Sequence, residues 1–124
     1  MTQPAAAPLP ASGKAANTAV WVLQILAAAA FLGAGGAKLA GVPQMVEVFQ
    51  KVGVGQWFRY VTGTLEVLGA IGLLIPRYTF YAAALLATVM VGAIISHLTV
   101  LGGSPAGPIV LLLITGTVAY MRRR

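Results

Sequence analysis

Four apolar runs, separated by short polar or turn-forming breaks, organise the chain. The first extends from Thr18 to Ala37, interrupted by Gln24 and closed by Lys38 and Leu39. A hydrocarbon core about 30 Å thick is crossed by roughly 20 helical residues, so the run predicts a span over 18–39. A cleaved signal segment fits less well, because its apolar part is only about 7–15 residues long and follows a charged stretch. The second run, 60–76, is bracketed by Arg59 and Arg77, and the third covers 78–101. The fourth, 105–121, stops at Arg122, Arg123 and Arg124; being short, it tilts little or thins the bilayer around it. Trp57, Phe58 and Tyr60 sit at one end of the second run, and Tyr78, Phe80 and Tyr81 lie just beyond the other. Aromatic residues at both ends of an apolar run are what a membrane interface selects.

Between the first two runs the period changes. Pro43 suits a first helical position, and Met45, Val48, Phe49 and Val52 recur at i, i+3, i+4 and i+7. Gln44, Glu47 and Lys51 fall on the opposite face, and Gly53 is placed to end the helix. The pattern predicts a short amphipathic helix over 43–52, lying either in the headgroup plane or folded over the end of the bundle. Residues 1–17 are rich in Ala and Pro without periodicity and read as a disordered tail. Gly102 and Gly103 mark a loop, with Ser104 and Pro105 placed to start the last helix. Residues 122–124 form a basic C-terminal tail. The expected fold is all-α: a polytopic membrane protein with four transmembrane helices in a compact bundle and an interfacial helix between the first two.

Composition strengthens that picture. Of the 124 residues, 59% are hydrophobic and 8% charged, with a mean hydropathy of +0.90, whereas a soluble domain carries about 25% charged residues. The length suits one domain, and the absence of cysteine excludes disulfides, thiolate metal sites and thiol redox chemistry within this polypeptide. The net charge of +6 would suit nucleic acid, but the cations stand at the ends of apolar runs with no aromatic-interleaved basic face. That distribution implies the lipid bilayer as partner and no nucleic acid. Four spans place Lys14, Arg77 and the three terminal arginines on one side, and Lys38, Lys51 and Arg59 on the other. Positive-inside counting, five against three, puts both termini in the cytoplasm.

Ionisable groups within spans carry the candidate chemistry, because a charge facing lipid at a helix centre costs at least about 2.5–3.5 kcal/mol. Glu66 lies seven residues into the second span, on a stripe with Thr62, Gly63, Gly69 and Ala70. Successive spans reverse direction, so Lys38, Arg59, Glu66 and His97 all fall toward one membrane face. They define a candidate polar pocket in which Glu66 pairs with Lys38 or Arg59, or stays unpaired and uncharged, and His97 exchanges protons near neutral pH. The competing reading makes Glu66 and Lys38 a structural ion pair and His97 an interfacial side chain. Gln24 lies deeper, toward the opposite side, as an interhelical hydrogen-bonding group. Small residues at Ala30, Gly33 and Ala37 on the first span, and at Ala84, Thr88, Gly92 and Ser96 on the third, read as helix-contact stripes; Thr88 and Ser96 would be their polar members. One histidine without cysteine cannot supply bis-histidine haem, an iron–sulfur cluster or a zinc site, so no metal ligands or catalytic residues are assigned.

Phe31 to Leu39 contains Gly35-Gly36-Ala37-Lys38-Leu39, which resembles the G-x-x-K-L signature of the DoxX family. Trp57-Phe58-Arg59-Tyr60, Glu66-Val67-Leu68-Gly69, Leu74-Ile75-Pro76-Arg77, Met90-Val91-Gly92-Ala93 and His97-Leu98 extend the resemblance over about Val20 to Tyr120. It implies a four-helix protein of the bacterial inner membrane. The family name comes from a membrane subunit of thiosulfate:quinone oxidoreductase, and some relatives are linked to membrane-associated oxidative-stress complexes. By that resemblance the chain is a redox-associated membrane subunit holding a quinone or similar lipid-soluble molecule near Glu66, with a membrane or peripheral oxidoreductase as partner. A non-catalytic scaffold and an oligomeric permeation unit are the alternatives; the last requires a homo-oligomer.

Overall fold

The computed structural model describes residues 8–123, with side chains from Gly13 onward. Helix α1 spans Pro8–Ala40, α2 Pro43–Val52, α3 Gln56–Leu73, α4 Thr79–Ser96 and α5 Ala106–Arg122, and a π-helical turn, His97–Leu101, extends α4. The first helix begins well before Thr18, so the disordered tail expected over 1–17 does not hold from Pro8 onward. Pro8 and Pro10 stand in a first turn, where the missing N–H costs nothing, and the Ala-rich stretch behind them propagates the helix. Residues 1–7 of that tail, and Arg124 of the basic tail, lie outside the described residues.

The ends of the other helices follow local chemistry. Gly53 closes α2 at φ 81° and donates its N–H to Phe49 O. Helix α3 stops at Leu73, short of Pro76, which disfavours helical geometry in the residue before it. Ser104 Oγ accepts from Ala106 N–H at 3.2 Å at the start of α5.

Helix α1 packs on α3, α3 on α4, α4 on α5 and α5 back on α1, while α2 rests on α3, the π turn and α1. The seam of α1 runs through Val20, Gln24, Ala27, Phe31 and Gly35, spaced three or four residues apart and all buried. Leu73, Ala83, Leu86 and Val118 complete the core from the other helices. At the α1–α3 crossing the backbones touch: a Cβ on Gly35 would stand 2.8 Å from Gly63 O, and one on Gly63 3.0 Å from Gly35 O.

Two small-residue stripes face elsewhere than expected. Ala30 and Gly33 are exposed, as are Thr88 and Gly92, while α4 buries Ala82, Ala83, Leu86 and Met90 instead. In a chain this rich in Ala and Gly, small size alone does not mark the contact face; the bulky and polar members Phe31, Gln24 and Glu66 do.

The outer surface is apolar. Ile25, Leu26, Leu68, Tyr81, Leu98 and Leu113 are each more than half exposed, a pattern that marks a lipid or partner contact surface. Among the described residues, two helices are long and apolar enough to cross a membrane, Gly13–Ala40 and Thr79–Leu101, and Ala106–Arg122 is a shorter apolar helix.

Candidate functional site

Polar side chains gather at the two ends of the helix ring. At the end covered by α2, Lys38 Nζ approaches Glu66 Oε1 at 2.8 Å. Lys38 occupies the last turn of α1 and Glu66 the middle of α3, so the pair joins the two helices beside the Gly35–Gly63 crossing. Glu66 is 1% exposed, and among the described residues its Oε1 receives no directed hydrogen bond beyond the ion pair. Arg59 is also buried. Its Nη1 donates to Lys38 O, its Nε to Gln56 Oε1 at 2.8 Å, and its guanidinium stacks on Tyr60. Because the last carbonyls of a helix lack intrahelical partners and carry partial negative charge, Arg59 acts as the C-terminal cap of α1.

The same end shows how α2 is held. Phe49, its buried residue, meets Phe58 edge to face at 5.9 Å, and Gln56 Nε2 donates to Val46 O at 3.1 Å. Gln44, Glu47 and Lys51 are exposed, and Met45, Val48 and Val52 are partly buried. The amphipathic face thus packs down on the helix ring.

The structure brings Lys38, Arg59 and Glu66 together; no hydrogen bond or ion pair among the described residues links His97 to them. Its Nδ1 lies 3.0 Å from Gly102 O, within the π turn and the glycine that follows. Thr88 and Ser96, expected to bond between helices, bond within their own: Thr88 Oγ1 to Ala84 O at 2.9 Å and Ser96 Oγ to Gly92 O at 3.0 Å. Helical Ser and Thr reach the carbonyl four residues back more readily than a neighbouring backbone.

Gln24 does bond between helices. Fully buried, it donates from Nε2 to Leu73 O at 2.7 Å, at the C-terminus of α3. Its Oε1 accepts from Arg122 Nε at 2.9 Å. Thr79 Oγ1 lies 3.1 Å from the same Leu73 carbonyl. Gln24, Thr79 and Arg122 line a cleft of about 640 Å³ at the end opposite α2, together with Trp21, Phe80, Tyr81, Asn17, Pro76 and Arg77. Arg122 Nη2 is buried there without a hydrogen-bond partner among the described residues, and the guanidinium carbon stands 5.8 Å from the Trp21 ring centre. Sequence reasoning singled out Gln24 as an interhelical group, took Arg77 and Arg122 only as cations at the ends of apolar runs, and did not single out Thr79. The available signal was directional: α1 and α5 run antiparallel, so a polar residue early in the first span meets the end of the last.

The arrangement separates two kinds of chemistry. The Lys38–Glu66 pair is charge-balanced and closed, suited to fixing helix register. The Arg122 cleft is rich in donors, open and positively charged, suited to a group that brings acceptors. A family model described as the DoxX-like family matches residues 22–119. No curated protein and no solved structure matches the chain.

Proposed function

The chain belongs to the DoxX-like family, and on that premise we propose that it is a four-span membrane subunit that supports a redox-associated partner and supplies no catalytic residue. The carrying observation is the Lys38–Glu66 contact of 2.8 Å, with Glu66 1% exposed. The one acidic residue within a span is engaged in joining α1 to α3, at a crossing where backbones leave no room for a ligand. Arg59 and Gln24 are similarly spent on the C-terminal carbonyls of α1 and α3. The four-span reading is supported by α1, α3, α4 and α5 closing a ring whose outer face is apolar. Although α3 carries Arg59 and Glu66, both are buried, so its lipid-facing side is as apolar as its neighbours'.

A second reading, in which a quinone sits at Glu66, has one feature in its favour. Glu66 Oε1 lacks a directed hydrogen bond and so retains capacity to accept from a quinol hydroxyl. Mass spectrometry of quinones and lipids retained in nanodiscs by wild type, Glu66→Gln and His97→Ala separates the two. The support role predicts the same retained set for all three proteins. A quinone held stoichiometrically by wild type and lost in Glu66→Gln would overturn it and locate the ligand.

A further inference from the structure

The chain contains two acidic side chains, Glu47 and Glu66, and both belong to the α2 half of the molecule. Glu66 is occupied by Lys38, and Glu47 is exposed on α2. The opposite end therefore presents Arg77 and Arg122 around one cleft with no acidic side chain to balance them. Arg122 is not a free surface cation. Its Nε is fixed on Gln24 Oε1, Gln24 is fixed in turn on Leu73 O, and the Nη2 edge is buried with no partner among the described residues. A buried guanidinium edge without an acceptor is costly, and a charged acceptor gives the strongest compensation, often bidentate. Thr79, Phe80 and Tyr81, which line the cleft, are also the first three residues of α4, whose N-terminus has no side-chain cap; its dipole adds to the attraction for an anion.

Tyr81 also borders a second, shallower groove of about 320 Å³ on the outside of α3 and α4. Leu68, Gly72, Ile75 and Leu85 make that groove apolar. A cationic cleft next to an apolar groove on the lipid-facing surface matches a molecule with an anionic head and a hydrocarbon tail. We propose that the Arg77–Arg122 cleft binds the phosphate of an anionic membrane phospholipid, with an acyl chain lying along the α3–α4 groove. The proposal rests on the four-span reading, which puts the cleft at the membrane–water boundary; that reading has its own test by cysteine labelling.

The experiment compares phospholipids retained after extraction from membranes containing phosphatidylglycerol and phosphatidylcholine, read by native mass spectrometry. Variants are Arg122→Gln, Arg77→Gln and, as an exposed control outside the cleft, Arg123→Gln. Wild type and Arg123→Gln are expected to retain phosphatidylglycerol several-fold over phosphatidylcholine, and both cleft variants to lose the preference. Arg77 makes no hydrogen bond within the described residues, so Arg77→Gln tests the site even where Arg122→Gln disturbs packing. Equal retention of the two lipids by wild type would overturn the proposal, as would an equal loss in Arg123→Gln, which would mark a diffuse basic surface. A parallel titration with inorganic phosphate separates the sources. If millimolar phosphate displaces the retained lipid and stabilises the protein equally in pure phosphatidylcholine nanodiscs, the ligand is free phosphate and the phospholipid assignment fails.

Discussion

Lys38 and Glu66 meet because consecutive antiparallel helices bring the end of one and the middle of the next to the same depth. The two partners do not contribute symmetrically. Lys38 sits one turn from a helix end with its side chain 14% exposed, against 2% for Glu66, so an orphaned ammonium can turn toward the interface. An orphaned carboxylate in mid-helix has no such route. Lys38→Met is therefore expected to cost more stability than Glu66→Gln, toward the about 3–5 kcal/mol typical of breaking a buried pair. The double variant Lys38→Met/Glu66→Leu should recover most of that loss, since an apolar replacement of both partners is often neutral. Thermal unfolding of wild type, Lys38→Met, Glu66→Leu and the double variant in one lipid measures the coupling; additive losses would show that the charges act independently. The pair was foreseeable from sequence because its members sit alone in apolar surroundings. The Gln24–Arg122 contact was not, because Arg122 heads a run of three arginines, which reads as an interfacial stop to the last span and hides the one that turns inward.

At the scale of the helix, glycine position matters more than glycine content. Gly33, Gly35 and Gly36 look alike in sequence, yet a Cβ on Gly33 meets nothing within 4 Å while one on Gly35 would collide with Gly63 O and Val67 Cγ2, each at 2.8 Å. Gly35→Ala must push α1 away from α3 and lengthen the neighbouring Lys38–Glu66 contact. The expected loss is about 1–3 kcal/mol, the usual range for overpacking, whereas Gly33→Ala should be neutral or stabilising by up to about 1 kcal/mol from helix propensity. Midpoints of thermal unfolding in nanodiscs check the pair, and equal effects at the two sites would contradict the close crossing. Here sequence carried the existence of the helices and the amphipathic face of α2, where Phe49 turns in and Glu47 turns out. It did not carry the contact face of the first or third apolar helix. Amphipathic contrast is absent when lipid and protein interior are equally apolar, so stripes of small residues at Ala30 and Ala84 were indistinguishable from the true seams.

For the whole molecule, the placement of the cations sharpens the topology. Lys38 and Arg59 both belong to the α2 end, but one is paired with Glu66 and the other is buried against Lys38 O. Both act within the helix ring, which leaves Lys51 as the exposed cation of that end. The other end carries exposed Lys14 and Arg123 together with Arg77 and Arg122. Positive charge near span ends holds a segment in the cytoplasm, so on the four-span proposal this asymmetry predicts both ends of the described chain there, with α2 and the Gly102–Gly103 loop outside. The absence of cysteine makes the prediction direct to test, since each introduced thiol is the only one. In intact cells a membrane-impermeant maleimide should label Gln44→Cys and Ser104→Cys, while Lys14→Cys and Arg123→Cys should label only after permeabilisation. Positions 44, on α2, and 104 are joined by α3 and α4, so their labelling from opposite sides would mean that one of these helices does not cross, and four spans would be excluded. The same four reactivities with sides exchanged would keep the four spans and reverse the orientation, placing the Arg77–Arg122 cleft on the outer face of the membrane.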